Sequence, residues 1–380
     1  MLYMPSAGLY TSTNATVDEV GRFYKTQNQT TGTHYALRWK GRVQIVVSRN
    51  ADAHDACWNI FMPERHNYPL RAMARLPRLS GAISCVEAEG LTSIRNEIGK
   101  EVGLSCCRAG APGPWSKDTI LFLDKNHFEP LYIVKAGAGE DVNNLLQNEA
   151  NWLRFLRDQP TLVDHIPELV THHPGNYLSF LAITPLRGKR SYRFGESHIA
   201  FLQKLQDCSR QNIHFEESRL YQNIHLRLKN LRGLLSESWS ARLDKAMRRI
   251  EHSLSGSPIL FVAAHNDFTP WNIILEQGVA KIIDWEHADY EQFPLFDPLH
   301  FFLMPMALKR DTLANILREL HKTLQICEYW LGKEKCFAAE AQALAYFVNL
   351  CTLYLWTEHG KSNSDPICDK YAKIIDHFCP

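Results

Sequence analysis

Apolar positions along the chain change their spacing as it proceeds. Between residues 103 and 136 they fall in three short runs, 104–107, 119–123 and 131–134, separated by Gly, Pro, Asp and Asn, which predicts a small antiparallel sheet. A helix is expected over 141–157, where Val142, Leu146, Leu153 and Leu156 share one face. A loop punctuated by Pro160, Pro167 and Pro174 follows, and then a strand over 177–183. Beyond the turn at Gly188 the spacing becomes helical, over 199–205, 226–235, 243–254 and again from 298 to the end. Short strands at 259–264, 273–275 and 280–283 interrupt that helical half. The expected fold is therefore α+β, with a small β-rich unit over 96–186 and a larger, mainly helical unit over 187–380. Residues 1–95 read as an N-terminal extension without an assigned role: a strand-like patch at 43–47 alternates with a Pro- and Arg-rich stretch at 63–78. Periodicity leaves open whether they extend the first unit or form a separate one.

The sharpest chemical signal is His265-Asn266-Asp267-Phe268-Thr269-Pro270-Trp271-Asn272, in a loop between two apolar strands. Ile282-Ile283-Asp284-Trp285-Glu286 follows at the end of the next strand. Phosphoryl transfer needs these residue types, because it consists of positioning and charge neutralisation by hard oxygen ligands on Mg²⁺ plus a carboxylate near the attacking hydroxyl. Asp267 would orient and deprotonate the hydroxyl, Asn272 and Asp284 would ligate the metal, and His265 would brace the loop.

The segment 265–286 resembles the catalytic loop and metal-binding strand end of the aminoglycoside phosphotransferase and choline kinase group. The resemblance covers roughly residues 100–360 and implies a two-lobed, protein-kinase-like fold with a nucleotide-binding N-lobe. It carries roles to Asp267, Asn272 and Asp284, and places Glu286 where the family often has a second acidic residue. It also implies a strand lysine that holds the nucleotide phosphates and a helical glutamate that holds the lysine. Lys135 ends the run 131–134, and Glu149 lies on the apolar stripe of the helix over 141–157, where an unpaired carboxylate would be costly. Lys135 is the expected partner. Gly110 and Gly113, between the first two strands, are candidates for the phosphate-covering loop, although no Gly-x-Gly-x-x-Gly is present and both also suit a simple turn. Ile183 belongs to the segment expected to join the lobes and to offer its backbone to the ATP or GTP base. Asp297 is expected to cap a helix.

Protein kinases place Arg before the catalytic Asp and an Ala-Pro-Glu further on. Here the first position is Asn266 and the second motif is missing, which favours a small hydroxyl acceptor over a protein. A sugar or an amino alcohol such as an aminoglycoside is expected, with Tyr290, Glu291, Asp297, His300, Glu358 and His359 as candidate lining. A net charge of +1 gives no general attraction for nucleic acid. Ten cysteines without a Cys-x-x-Cys pair suggest reduced thiols and a cytoplasmic location. The run 341–356 is short for a membrane span and reads as a buried helix. Two rival readings stay open at this level: a catalytically silent kinase-like binding protein, and a hydrolytic metal site built on His265, Asp267, Asp284 and His287.

Overall fold

The computed structural model describes residues 23–26, 33–39, 42–50, 53, 56–57, 60–61, 83–99, 101–110, 113, 115–309, 311–357 and 366–380. The chain divides into two compact units, with the principal boundary between Leu186 and Arg187.

The first unit is built on nine strands: β1 (Tyr24–Thr26), β2 (His34–Trp39), β3 (Arg42–Ser48), β4 (Ile83–Glu87), β5 (Val102–Arg108), β6 (Asp118–Asp124), β7 (Pro130–Gly137), β8 (Leu169–His173) and β9 (Ser179–Ile183). They form one sheet in the order β1-β4-β2-β3-β5-β6-β7-β9-β8. Every neighbouring pair is antiparallel. Because side chains alternate across a strand, β6 feeds two cores. Ile120 and Phe122 pack with Leu91, Ile94 and Ile98 of α1 (Glu89–Ile98). Leu121 and Leu123 pack with Ile45, Val47 and Cys106 on the other face. The same alternation sends the adjacent thiols Cys106 and Cys107 into different cores, and all ten cysteines are free.

Two features go beyond the sequence pattern. Periodicity leaves open whether the early segment extends the first unit; Ile45 and Val46 of β3 register against Arg108 and Cys107 of β5, so the early strands continue the sheet. Polar residues in that core obscured its pattern. His34 hydrogen-bonds the Ser105 carbonyl at 2.8 Å, Tyr24 meets the Ser105 hydroxyl at 2.9 Å, and Glu87 pairs with Arg95 at 2.6 Å. The second feature is β8, an edge strand inside the expected loop, whose mixed exposure gives only a weak apolar alternation. The stretch 63–78 lies outside the described residues.

The second unit contains α3 (Glu196–Asp207), α4 (Arg219–Leu231), α5 (Glu237–Leu254), α6 (Phe296–Leu308), α7 (Leu313–Leu331), α8 (Ala339–Thr357) and α9 (Pro366–Phe378). The helix between the two sequence halves of the sheet, α2 (Glu140–Arg157), belongs for most of its length to the first unit. Side-chain caps fix three helix starts: Ser218, Ser236 and Thr312 accept from the N–H groups of Tyr221, Trp239 and Asn315. Leu243, Ile250, Phe347, Leu350 and Tyr371 lie in one large core. Two small sheets are set among the helices. One orders β10 (Lys189–Arg190), β13 (Ile273–Glu276) and β14 (Val279–Ile282); the other orders β11 (Gln211–Ile213), β12 (Ile259–Ala264) and β15 (Asp289–Gln292). The helix expected over 341–356 is α8, buried along most of its length, and among the described residues no helix is long and apolar enough to cross a membrane.

Candidate active site

Strand β12 ends at Ala264, and the chain turns at Asn266, which holds φ +61°. A positive φ is unfavourable for a residue with a side chain, so the conformation needs external support. Asp297, in the first turn of α6, supplies it. Its two carboxylate oxygens accept from the backbone N–H groups of His265 at 2.8 Å and Asn266 at 2.9 Å. The helix-capping role expected of Asp297 gives way to this one: Leu295 is the cap residue, and the Asp297 carboxylate serves the loop. Burial pushes its carboxyl up to about 6. The Asn266 amide donates to the His287 carbonyl at 2.9 Å, tying the loop to the segment after β14.

His265 braces the loop from inside. Its Nδ1 accepts from the Asp267 N–H at 3.2 Å, so its Nε2 carries the proton and donates to the Ile283 carbonyl at 3.0 Å. Burial holds the imidazole down at about 4, in keeping with a neutral ring. With both nitrogens occupied, His265 has no lone pair for a metal, which takes one of the named ligands from the hydrolytic metal reading.

Asp267 and Asn272 meet through the short turn between them. Asn272 Nδ2 donates to the Asp267 carbonyl at 3.0 Å and to its Oδ2 at 2.8 Å. That leaves Oδ1 as the remaining ligand atom of the amide. Asn272 is brought beside Asp284 by the hairpin: Ile273 registers against Ile282, and the Ile283 N–H donates to the Asn272 carbonyl at 3.0 Å. Asp284 follows β14 with φ +75°. Trp285 is buried under this turn, its indole donating to the Ile282 carbonyl at 3.1 Å and its ring 4.7 Å from that of His265. Glu286 lies beside the neighbouring His287 at 3.5 Å.

In the first unit, Lys135 of β7 and Glu149 of α2 pair at 2.7 and 2.6 Å, with the Glu149 side chain fully buried. The partner inferred from the apolar stripe is thus in place. Gly110 N–H donates to Asp118 at 3.0 Å, and a Cβ at Gly110 would lie 2.3 Å from the Lys117 carbonyl oxygen, so close backbone approach requires glycine there. Gly113 holds φ +150°. Ile183 ends β9 with its side chain buried, in register with Ile133 of β7 and Leu169 of β8. Glu358 and His359 lie outside the described residues.

The model of the phosphotransferase enzyme family matches residues 109–327. The chain belongs to this family. The match spans the strand carrying Lys135, the helix carrying Glu149 and the whole of the loop from His265 to Glu286. No curated protein matches by sequence. Among solved structures, a thermostable mutant of aminoglycoside phosphotransferase APH(4)-Ia, in ternary complex with AMP-PNP and hygromycin B, is similar at TM-score 0.51 and 11% identity, over 76% of this chain and 97% of that one. ADP-bound aminoglycoside phosphotransferase APH(2'')-Ib reaches 0.49 at 15% identity, over 76% and 96%. A choline/ethanolamine kinase family protein from Mesorhizobium loti reaches 0.45 at 16%, over 71% and 87%. The fold is the two-lobed, kinase-like one of the phosphotransferase family, and the chain is a small-molecule phosphotransferase.

One relation had no sequence signal. His300 Nε2 lies 3.2 Å from Asp267 Oδ1, and its Nδ1 lies 3.2 Å from the Tyr346 hydroxyl. His300, one of the residues expected to line the acceptor site, contacts the catalytic-loop candidate Asp267 through its ring.

Proposed function

We propose that this phosphotransferase moves the γ-phosphoryl group of ATP or GTP to a hydroxyl of a small molecule of the sugar or amino-alcohol type, aminoglycosides included, in a Mg²⁺-dependent reaction in the cytoplasm. The observation that carries the proposal is the hydrogen-bonded Asp267–Asn272 pair set beside Asp284 by the β13–β14 hairpin. The donor set fits Mg²⁺, a hard cation that prefers oxygen: Asn272 Oδ1 and the Asp284 carboxylate would hold it. When bound, the ion would neutralise charge on the transferred phosphoryl group.

The remaining work falls to the protein's own groups. Asp267, fixed through Oδ2, orients the acceptor hydroxyl and takes its proton as the acceptor O–P bond forms and the bond from the γ-phosphorus to the departing nucleoside diphosphate breaks. Lys135, kept charged and aimed by Glu149, binds the donor phosphates. Gly110 and Gly113 shape the turn that covers them, and the backbone leaving β9 after Ile183 meets the base. Glu286 supports Asp284 from the same turn.

Calorimetry with Mg²⁺ plus ATP or GTP, followed by turnover on a panel of sugars and amino alcohols, tests the reading. Asp267→Asn should leave nucleotide affinity within about threefold while lowering turnover by about 10²–10⁴-fold. Asp284→Ala should weaken Mg²⁺-dependent nucleotide binding itself. Normal turnover by Asp267→Asn, or absence of nucleotide binding by the natural chain, would reject the proposal.

A further inference from the structure

Resting on that functional reading, we propose that His300 is a positioning residue for the reaction: it holds the Asp267 carboxylate in its working orientation, and Tyr346 in turn holds His300. The argument begins with the freedom of an aspartate side chain. The torsion that turns its carboxylate is broad and has no sharp staggered minima, so a single hydrogen bond leaves the group free to swing. Asn272 fastens only Oδ2. The second oxygen is fastened by His300 Nε2 at 3.2 Å. A carboxylate can only accept, so Nε2 must carry a proton.

Its Nδ1 lies 3.2 Å from the Tyr346 hydroxyl, a group that can donate to a bare ring nitrogen or accept from a protonated one. Burial pushes the Tyr346 phenol above its ordinary range, so this hydroxyl keeps its proton. Both partners are shielded from water, His300 being 3% and Tyr346 2% exposed, so solvent cannot substitute for either bond.

Helical spacing explains how one element supports the whole loop. Asp297 and His300 are three residues apart on α6 and therefore share a face. The first takes the loop's backbone N–H groups and the second takes its functional carboxylate. Tyr346 reaches the same place from α8, its ring packed edge-on to those of His300 and Phe296. Asp267 is thus clamped between a residue of its own loop and a relay from two core helices.

The test compares His300→Leu, His300→Gln and Tyr346→Phe with the natural chain, with water and the sugar and amino-alcohol panel as acceptors of the ATP phosphoryl group. His300→Leu should lower kcat about 10–100-fold, the scale on which loss of an orienting partner or a ~1 Å misplacement acts. Its KM for ATP should stay within about threefold. His300→Gln, which can set an amide N–H near the position of Nε2, should recover most of the loss. Tyr346→Phe should lie between, since the ring then keeps its place but loses the bond that orients it. ATP affinity by calorimetry reports the folded fraction of each variant. A natural chain that turns over while His300→Leu matches its kcat, or a His300→Gln no better than His300→Leu, overturns the assignment alone. A natural chain inactive toward every acceptor and unable to bind ATP overturns the phosphotransferase reading and this assignment with it.

Discussion

Replacing Lys135 by Met removes the ammonium that sits 2.7 and 2.6 Å from the two oxygens of Glu149, whose side chain is wholly buried. Breaking a buried pair from one side typically costs about 3–5 kcal/mol, because a charge is left in a poor solvent. A ceiling follows from proton chemistry. The variant can always neutralise the buried carboxyl, and protonating a glutamate of ordinary pKa about 4.3 at pH 7 costs about 4 kcal/mol, at 1.36 kcal/mol per unit. The same step costs only about 1 kcal/mol at pH 5.

In the variant the folded-state pKa of Glu149 is raised above its unfolded value. The associated stability is therefore intact below about pH 4.3 and is lost as the pH rises. Urea unfolding of the natural chain and Lys135→Met at pH 5, 6 and 7 should show a difference that widens by about 1.4 kcal/mol per unit. Lys135→Met combined with Glu149→Leu should close most of the gap at pH 7. A gap that is constant with pH, or smaller at pH 7 than at pH 5, would refute the argument that Glu149 is kept ionised by Lys135.

Two further outcomes follow from the same physics. Burial holds both His265 and His198 at about 4, below the ordinary 6.5, so each withdraws about 3 kcal/mol of stability as the pH falls from 6.5 to 4. Asp297, raised to about 6, acts in the opposite sense over the lower part of that window. His198→Phe, inside the ring cluster of Phe194, Phe268 and Phe301, should flatten the acid limb of the urea midpoint, whereas Asp297→Asn should steepen it. Gly110→Ala should lower stability by about 1–3 kcal/mol, since its Cβ meets the Lys117 carbonyl, and a melting curve unchanged by it would contradict the close approach.

The parts of the site that were legible in the sequence are those whose reasons are local. Asp267, Asn272 and Asp284 announce themselves because polar residues at fixed spacing interrupt apolar strands, and Glu149 because a carboxylate on an apolar stripe demands a partner. Asp297 and His300 were legible only as a helix cap and as candidate acceptor lining, not in their contacts with the loop. Each sits in the apolar run that begins α6, and what each touches depends on where β12 ends, more than 30 residues earlier. The early strands were hidden for a related reason: Tyr24, His34 and Ser105 are polar by composition yet buried, since each satisfies another's hydrogen-bonding groups. Edge strand β8 lacked the alternation by which a strand is read, because neither face of it is fully covered.

The two non-glycine residues at positive φ in the site, Asn266 and Asp284, each store about 1–3 kcal/mol of strain. That strain is opposed by several bonds: Asp297 grips the backbone at 265 and 266, the His287 carbonyl takes the Asn266 amide, and His265 spans to the Ile283 carbonyl between the two strained turns. The two turns are therefore mechanically coupled through one neutral imidazole. Movement of the Asp284 turn must either break the His265–Ile283 bond or carry the ring with it, and the ring also receives the Asp267 N–H. A site assembled in this way holds the proposed base and the proposed metal ligands at fixed separation, and that fixed separation is what an in-line phosphoryl transfer requires of its protein.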